Sequence, residues 1–172
     1  AIEMSRLGIR PGDRVMIVCE NSIAAIVLLY ASSRLDAWAV IINARRSQHE
    51  LDLIERDCRP RRVFYTHAIS SDADAHACRR DADIEPFTGI GEVKVGKLDA
   101  DSVAERVHRD SSRQVAVVIY TTGTTGRPKG VMLSHRSLAF VACRGKRTDT
   151  IRSDDVSLCV MPLFHVHGLV AS

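Results

Sequence analysis

Residues 120–131 read YTTGTTGRPKGV. Thr121, Thr122, Thr124 and Thr125 offer hydroxyl donors, and Lys129 adds a compact positive charge. Gly123, Gly126 and Gly130 let the backbone turn tightly and bring amides close to an anion. Groups of these types, held close together, could cradle phosphate and stabilise charge that develops on it. Pro128 restricts the residue before it to extended geometry, which aims Lys129. The string is not a G-x-x-x-x-G-K-[ST] loop, because no such string begins at Gly123 or Gly126. Residues 91–97 come near that pattern, but Leu98 stands where a Ser or Thr must bind Mg2+. Gly89 and Gly91 likewise begin a dinucleotide fingerprint that fails at Lys94.

A second cluster, PLFHVHG, occupies residues 162–168. His165 or His167 could accept or donate a hydrogen bond at neutral pH, or pack structurally. Two histidines at i and i+2 with no third ligand make a poor zinc site, so none is expected. Five cysteines, at 19, 58, 78, 143 and 159, are odd in number and include no CxxC pair. Cys19, Cys143 and Cys159 lie in apolar stretches, so mostly buried, free thiols in a reducing cytosol are expected, and the chain is read as cytoplasmic.

The elements that position these groups alternate. Apolar, β-branched runs at residues 15–19, 38–42, 63–65, 115–119 and 156–161 read as strands covered on both faces. Between them lie helices. Asn21-Ser22 can cap one that runs to about Arg34. Ser47 and Glu50 form a capping box before Leu51, Ile54 and Cys58 at helical spacing. Ser134 can cap a helix to about Cys143. Residues 1–7 read as the tail of a helix, residues 70–83 as a weak surface helix, and residues 86–98 as irregular strands or a loop. The pattern predicts an α/β fold, mostly a parallel sheet flanked by helices, with the phosphate loop at the carboxyl edge of the sheet.

Composition bounds the rest. The chain has 172 residues, 45% hydrophobic and 26% charged, which is globular. Folding a chain of this mass buries about 70% of its surface, enough for one ordinary core. The longest apolar run, residues 23–31, has nine residues, whereas a membrane span needs about 20. A net charge of +3 and 5% aromatics give little reason to expect nucleic acid. The pairs Arg45-Arg46, Arg61-Arg62 and Arg79-Arg80 lie in polar stretches and read as solvated surface.

YTTGTTGRPKGV resembles the signature phosphate loop of the adenylate-forming (AMP-binding) synthetases, which include acyl-CoA synthetases, peptide-synthetase adenylation domains and luciferases. LGIRPGDRV at residues 7–15, Asn21-Ser22, Ile42-Asn43 and Glu50-Leu51 are similar to their amino-terminal region in order, and PLFHVHG is similar to their next motif. Nearly the whole chain is covered, most weakly at 68–114. The resemblance implies the amino-terminal part of that fold across 1–172. It also implies ATP-dependent activation of a carboxylic acid to an acyl-adenylate, with transfer to CoA in the acyl-CoA synthetases. Thr121, Thr122, Gly123, Thr124, Thr125, Gly126 and Lys129 would hold the ATP phosphates, with Mg2+ near Thr124 or Thr125, and His165 would line the substrate pocket. His167 would only pack. Amino-acid-activating relatives place an Asp near this motif. Residues 162–168 contain no acid, which favours a carboxylate–CoA ligase over an amino-acid-activating domain. A non-catalytic nucleotide-binding module derived from the family stays an alternative. The family's adenine, ribose and carboxyl-terminal lysine elements follow this region. The chain is therefore expected to be an amino-terminal fragment, inactive alone, and Lys129 is not the adenylation lysine of the carboxyl-terminal domain.

Overall fold

A computed structural model describes residues 1–122, 127–148, 152, 154–156 and 158–171. Helix α1 (Ile2–Arg6) precedes strand β1 (Arg14–Cys19), and helix α2 (Ile23–Arg34) leads to β2 (Trp38–Asn43). Helix α3 (Gln48–Cys58), β3 (Arg62–Tyr65), α4 (Ser71–Arg79) and the hairpin β4 (Asp83–Phe87) and β5 (Gly91–Val95) follow. Strand β6 (Val115–Thr122) is joined to β7 (Pro128–Ser134), then come α5 (His135–Thr148) and α6 (Val166–Ala171).

Seven strands form one sheet in the order β4-β5-β3-β1-β2-β6-β7. The four central strands β3, β1, β2 and β6 run parallel. Antiparallel strands close both sides: β5 and β4 beyond β3, and β7 beyond β6. The central runs are apolar on both faces because both faces are covered. Val15, Ile17, Cys19, Ala39, Ile41, Val117 and Ile119 share one core with Ala25 and Leu28 of α2. Met16, Val18, Val40, Ile42, Val118 and Tyr120 share the other with Leu51 and Ile54 of α3 and Ala73 and Ala77 of α4. Alternate residues of the same run thus serve opposite layers.

The helix starts follow local chemistry. The Ser22 hydroxyl accepts from the Ala25 amide at 3.1 Å, and Ser70 caps α4 through Ala73 in the same way. Ser47 and Glu50 satisfy each other's backbone amides at the start of α3. Ser134 accepts from the Ser137 amide at 3.2 Å. Residues 71–79 form a half-buried helix rather than a surface one, because Ala73, His76 and Ala77 face the sheet. Residues 83–95 form a regular hairpin that extends the sheet at β3.

Other expectations fail as well. No strand forms among the described residues of 156–161, and Val156, Leu158 and Val160 are exposed there. Apolar content alone makes no strand without a neighbour to pair with. Cys143 and Cys159 are exposed, as is Cys78, whereas Cys19 and Cys58 are buried. Burial pushes the Cys19 and Cys58 thiols up to about 12. The arginine pair at 61–62 is not solvated. Arg61 is buried and donates to the Asp99 and Ala100 carbonyls at 2.7 and 3.1 Å. Arg62 donates to Leu7 O and Gly96 O, both at 2.7 Å. The guanidinium fork lets each side chain tie several carbonyls to the amino edge of the sheet.

Candidate functional site

Strand β6 delivers Tyr120 and Thr121 to the carboxyl edge of the sheet, and β7 returns beside it with Lys129 opposite Thr121 and Gly130 opposite Tyr120. Directly paired residues of an antiparallel ribbon lie on the same face about 5 Å apart. Thr121 and Lys129 therefore stand side by side at the end of the ribbon. Lys129 is exposed, and among the described residues no carboxylate pairs with it. Gly130 has a packing role. A Cβ there would lie 3.0 Å from Val118 Cγ1 and 3.1 Å from the Tyr120 ring, so a side chain would push Tyr120 away.

Tyr120 is held from both ends. Its hydroxyl donates to the Asp57 carboxylate, and its carbonyl accepts from Arg46 Nη2 at 3.3 Å. Burial, together with the bond to Asp57, raises the pKa of this phenol. Arg46 is fixed in turn by Glu50, with Nη1 to Oε1 at 2.8 Å. The Ser47 amide and hydroxyl, followed by the Arg46 charge, hold the Glu50 carboxyl below the usual carboxylate range. The buried His76 sets the loop that carries Arg46. Its Nε2 lies 3.1 Å from Ala44 O and 3.0 Å from Arg46 O, and its Nδ1 lies 3.1 Å from Gln48 Oε1.

His165 faces the ribbon across a cavity of about 320 Å³ lined by Arg46, Ile119, Tyr120, Thr121, Val131, Leu133, His165 and Val166. Most of the lining is apolar, with Arg46, Thr121 and His165 as its polar members besides Tyr120, as suits a small-molecule site. His165 sits one residue before α6, where the turn is tight. Its amide donates to Pro162 O at 3.0 Å, and a Cβ on Gly168 would lie 2.1 Å from the same oxygen. Only glycine fits there. His167 is exposed rather than packed, and it does not line the cavity.

The structure thus brings Thr121 and His165 to one cavity, with Lys129 beside Thr121. Gly123, Thr124, Thr125 and Gly126, and the Mg2+ expected at Thr124 or Thr125, lie outside the described residues, and the side chain of Thr122 is not described. Arg46 was missed from the sequence, where it read as half of a solvated pair. Its spacing of four from Glu50, beside a capping box, was the available clue.

These features make the protein an α/β protein with a donor-rich ribbon at the carboxyl edge of a parallel sheet. The chain belongs to the AMP-binding enzyme family, whose family model matches residues 2–172. It is 33% identical over 175 residues to the long-chain-fatty-acid–CoA ligase FadD13 of Mycobacterium tuberculosis (strain ATCC 25618 / H37Rv), with 96% of this chain and 33% of that protein covered. It is 32% identical over 170 residues to the 2-succinylbenzoate–CoA ligase of Bacillus cereus (strain AH820), covering 96% of this chain and 32% of the relative. The chain spans about a third of the length of these relatives. Among solved structures, the inhibitor-bound N-terminal domain of FACL13 from Mycobacterium tuberculosis superposes with a TM-score of 0.74 at 29% identity, covering 98% of this chain and 43% of that one. ATP-bound MatB from Rhodopseudomonas palustris gives 0.70 at 28%, covering 98% and 34%. Among the described residues no helix is long and apolar enough to cross a membrane.

Proposed function

We propose that this chain is the phosphate-binding part of an ATP-dependent, AMP-forming carboxylate–CoA ligase. The observation that carries the reading is that Thr121 and His165 line one mostly apolar cavity at the carboxyl edge of the sheet, with Lys129 paired beside Thr121 on the ribbon. The names of the ligases it resembles support the same reaction class.

In this reading a carboxylate oxygen attacks the α-phosphorus of ATP. The new bond gives the acyl-adenylate, and the bond to the bridging oxygen breaks as pyrophosphate departs with the electron pair. Negative charge grows on the departing group. The Thr121, Thr122, Thr124 and Thr125 hydroxyls, the amides at Gly123 and Gly126, and Lys129 stabilise it without reorganising. The Thr124 or Thr125 hydroxyl would hold Mg2+, which would offset charge on the ATP phosphates. The CoA thiol then attacks the acyl carbon and AMP leaves. His165 faces the acid from the far wall of the cavity. The substrate is a carboxylic acid without an α-amino group, since residues 162–168 offer no acid to meet an ammonium. The buried, free Cys19 and Cys58 agree with a reducing, cytoplasmic setting.

The test is carboxylate-dependent exchange of pyrophosphate into ATP by the full-length protein, in wild type and Lys129→Ala. Losing one charge contact to the departing pyrophosphate lowers the rate by about 10²–10³, and an exposed lysine costs little stability to remove. Exchange that does not depend on any carboxylate, or that Lys129→Ala leaves unchanged, overturns the reading.

A further inference from the structure

The pair Asn21-Ser22 follows β1 at the carboxyl edge, and its two side chains do different things. Ser22 caps α2. Asn21 turns away from the helix and grips the chain about 140 residues later. Its Nδ2 donates to Met161 O at 2.9 Å, and its Oδ1 accepts from the Leu163 amide at 2.8 Å. One side-chain amide thus satisfies a carbonyl and an N–H two residues apart, as a neighbouring strand would. Between described residues, every hydrogen bond that ties residues 158–165 to the sheet comes from Asn21. Phe164 and Leu169 supply apolar packing against the core, but such contacts are non-directional and do not fix a backbone's orientation. The bond to Leu163 lies two residues before His165, and the turn from Pro162 O to the His165 amide carries that orientation onward.

We propose that Asn21 is a positioning residue: its amide clamps residues 161–163 and thereby sets His165 against the cavity wall formed by Ile119 and Thr121. The inference rests on the ligase reading of the same site. Asn21 touches no reacting atom in it. Its effect passes through residues 161–163, so it falls on the carboxylic acid rather than on the phosphate ribbon, which β6 and β7 hold by their own pairing.

The experiment compares Asn21→Leu, which keeps the shape and removes both bonds, with Asn21→Asp, which keeps the acceptor and loses the donor. Ser22→Ala serves as a control that weakens α2 but leaves the clamp. In the full-length protein, Asn21→Leu is expected to lower kcat/KM for the carboxylic acid about tenfold, the scale of two lost hydrogen bonds. The KM for ATP should stay near wild type, and Asn21→Asp should fall between the two. Ser22→Ala should shift stability without this split. Hydrogen exchange at the Leu163 amide should quicken about tenfold in Asn21→Leu and not in Ser22→Ala. Unchanged exchange at Leu163, or equal losses for acid and ATP, overturns the clamp. A wild-type protein that forms no acyl-adenylate overturns the ligase reading instead, and the exchange measurement still decides the clamp.

Discussion

The central sheet and the stretch from β7 to α6 are made of similar residues and treat them in opposite ways. In β1, β2 and β3 the apolar side chains are buried on both faces of the sheet. In β7, α5 and the residues before α6, Val131, Met132, Phe140, Val141, Leu158 and Val160 are exposed. The first region is held by packing from two helical layers. The second is held more sparsely, by the β6 ladder, the core contacts of Leu133, Leu138, Phe164 and Leu169, and the Asn21 clamp. Strands β1, β2 and β3 carry none of the candidate site's donors themselves. Their packing fixes the sheet on which β6 carries Thr121 to the carboxyl edge.

The contrast breaks most visibly in the core. Phe64 is fully buried and meets Phe87 edge-to-face at 6.1 Å. Phe64→Ala is expected to lower the free energy of unfolding by about 3–5 kcal/mol, read by urea titration. Leu158→Ala, at an 85% exposed site, should stay within about 0.5 kcal/mol. Comparable losses from the two would remove the contrast.

A smaller effect separates the two histidines. His165→Ala should impair acyl-adenylate formation, by about tenfold in kcat/KM for the acid if one ordinary hydrogen bond or pocket contact is lost. His167→Ala should do less, because His167 lies outside the cavity. Steady-state kinetics of both variants decide it, and equal damage would mean that the cavity is not where the acid binds.

The smallest effect concerns pH. Glu50 has a carboxyl held below its ordinary 4.5 by Ser47 and Arg46. The unfolded chain therefore binds this proton more readily than the folded one. The stability it adds is present above about pH 4.5 and is lost as the pH falls through the lower folded value. Glu50→Gln should lower the melting temperature at pH 7, where the charge contributes, and flatten the decline below pH 4.5, so that variant and wild type converge in acid. An unchanged acid limb would show that the Arg46–Glu50–Ser47 cluster does not hold the edge of the site.

Much of this was legible in the residues. Central strands at 15–19, 38–42, 63–65 and 115–119 follow from β-branched runs that suit burial on both faces. The caps at Ser22, Ser47 and Ser134 follow from side chains that answer orphan amides. The proposal of a phosphate-binding ribbon starts from hydroxyls, glycines and a lysine within twelve positions. The strand expected at 156–161 failed because a strand is a relation between segments: nothing in a run of Val, Leu and Met says whether a neighbour will pair with it. The antiparallel return of β7 was unread for the same reason.

By itself, then, the sequence determined the local grammar: the central strands, and where the helices that flank them begin. Each of those is set by interactions within a few residues. Only the tertiary structure decided that Arg46 braces the last carbonyl of Tyr120, that Gly130 makes room for a ring, and that Asn21 holds residues 161 and 163. Those contacts join positions far apart in the chain, and their partners become neighbours only once the sheet has chosen its strand order.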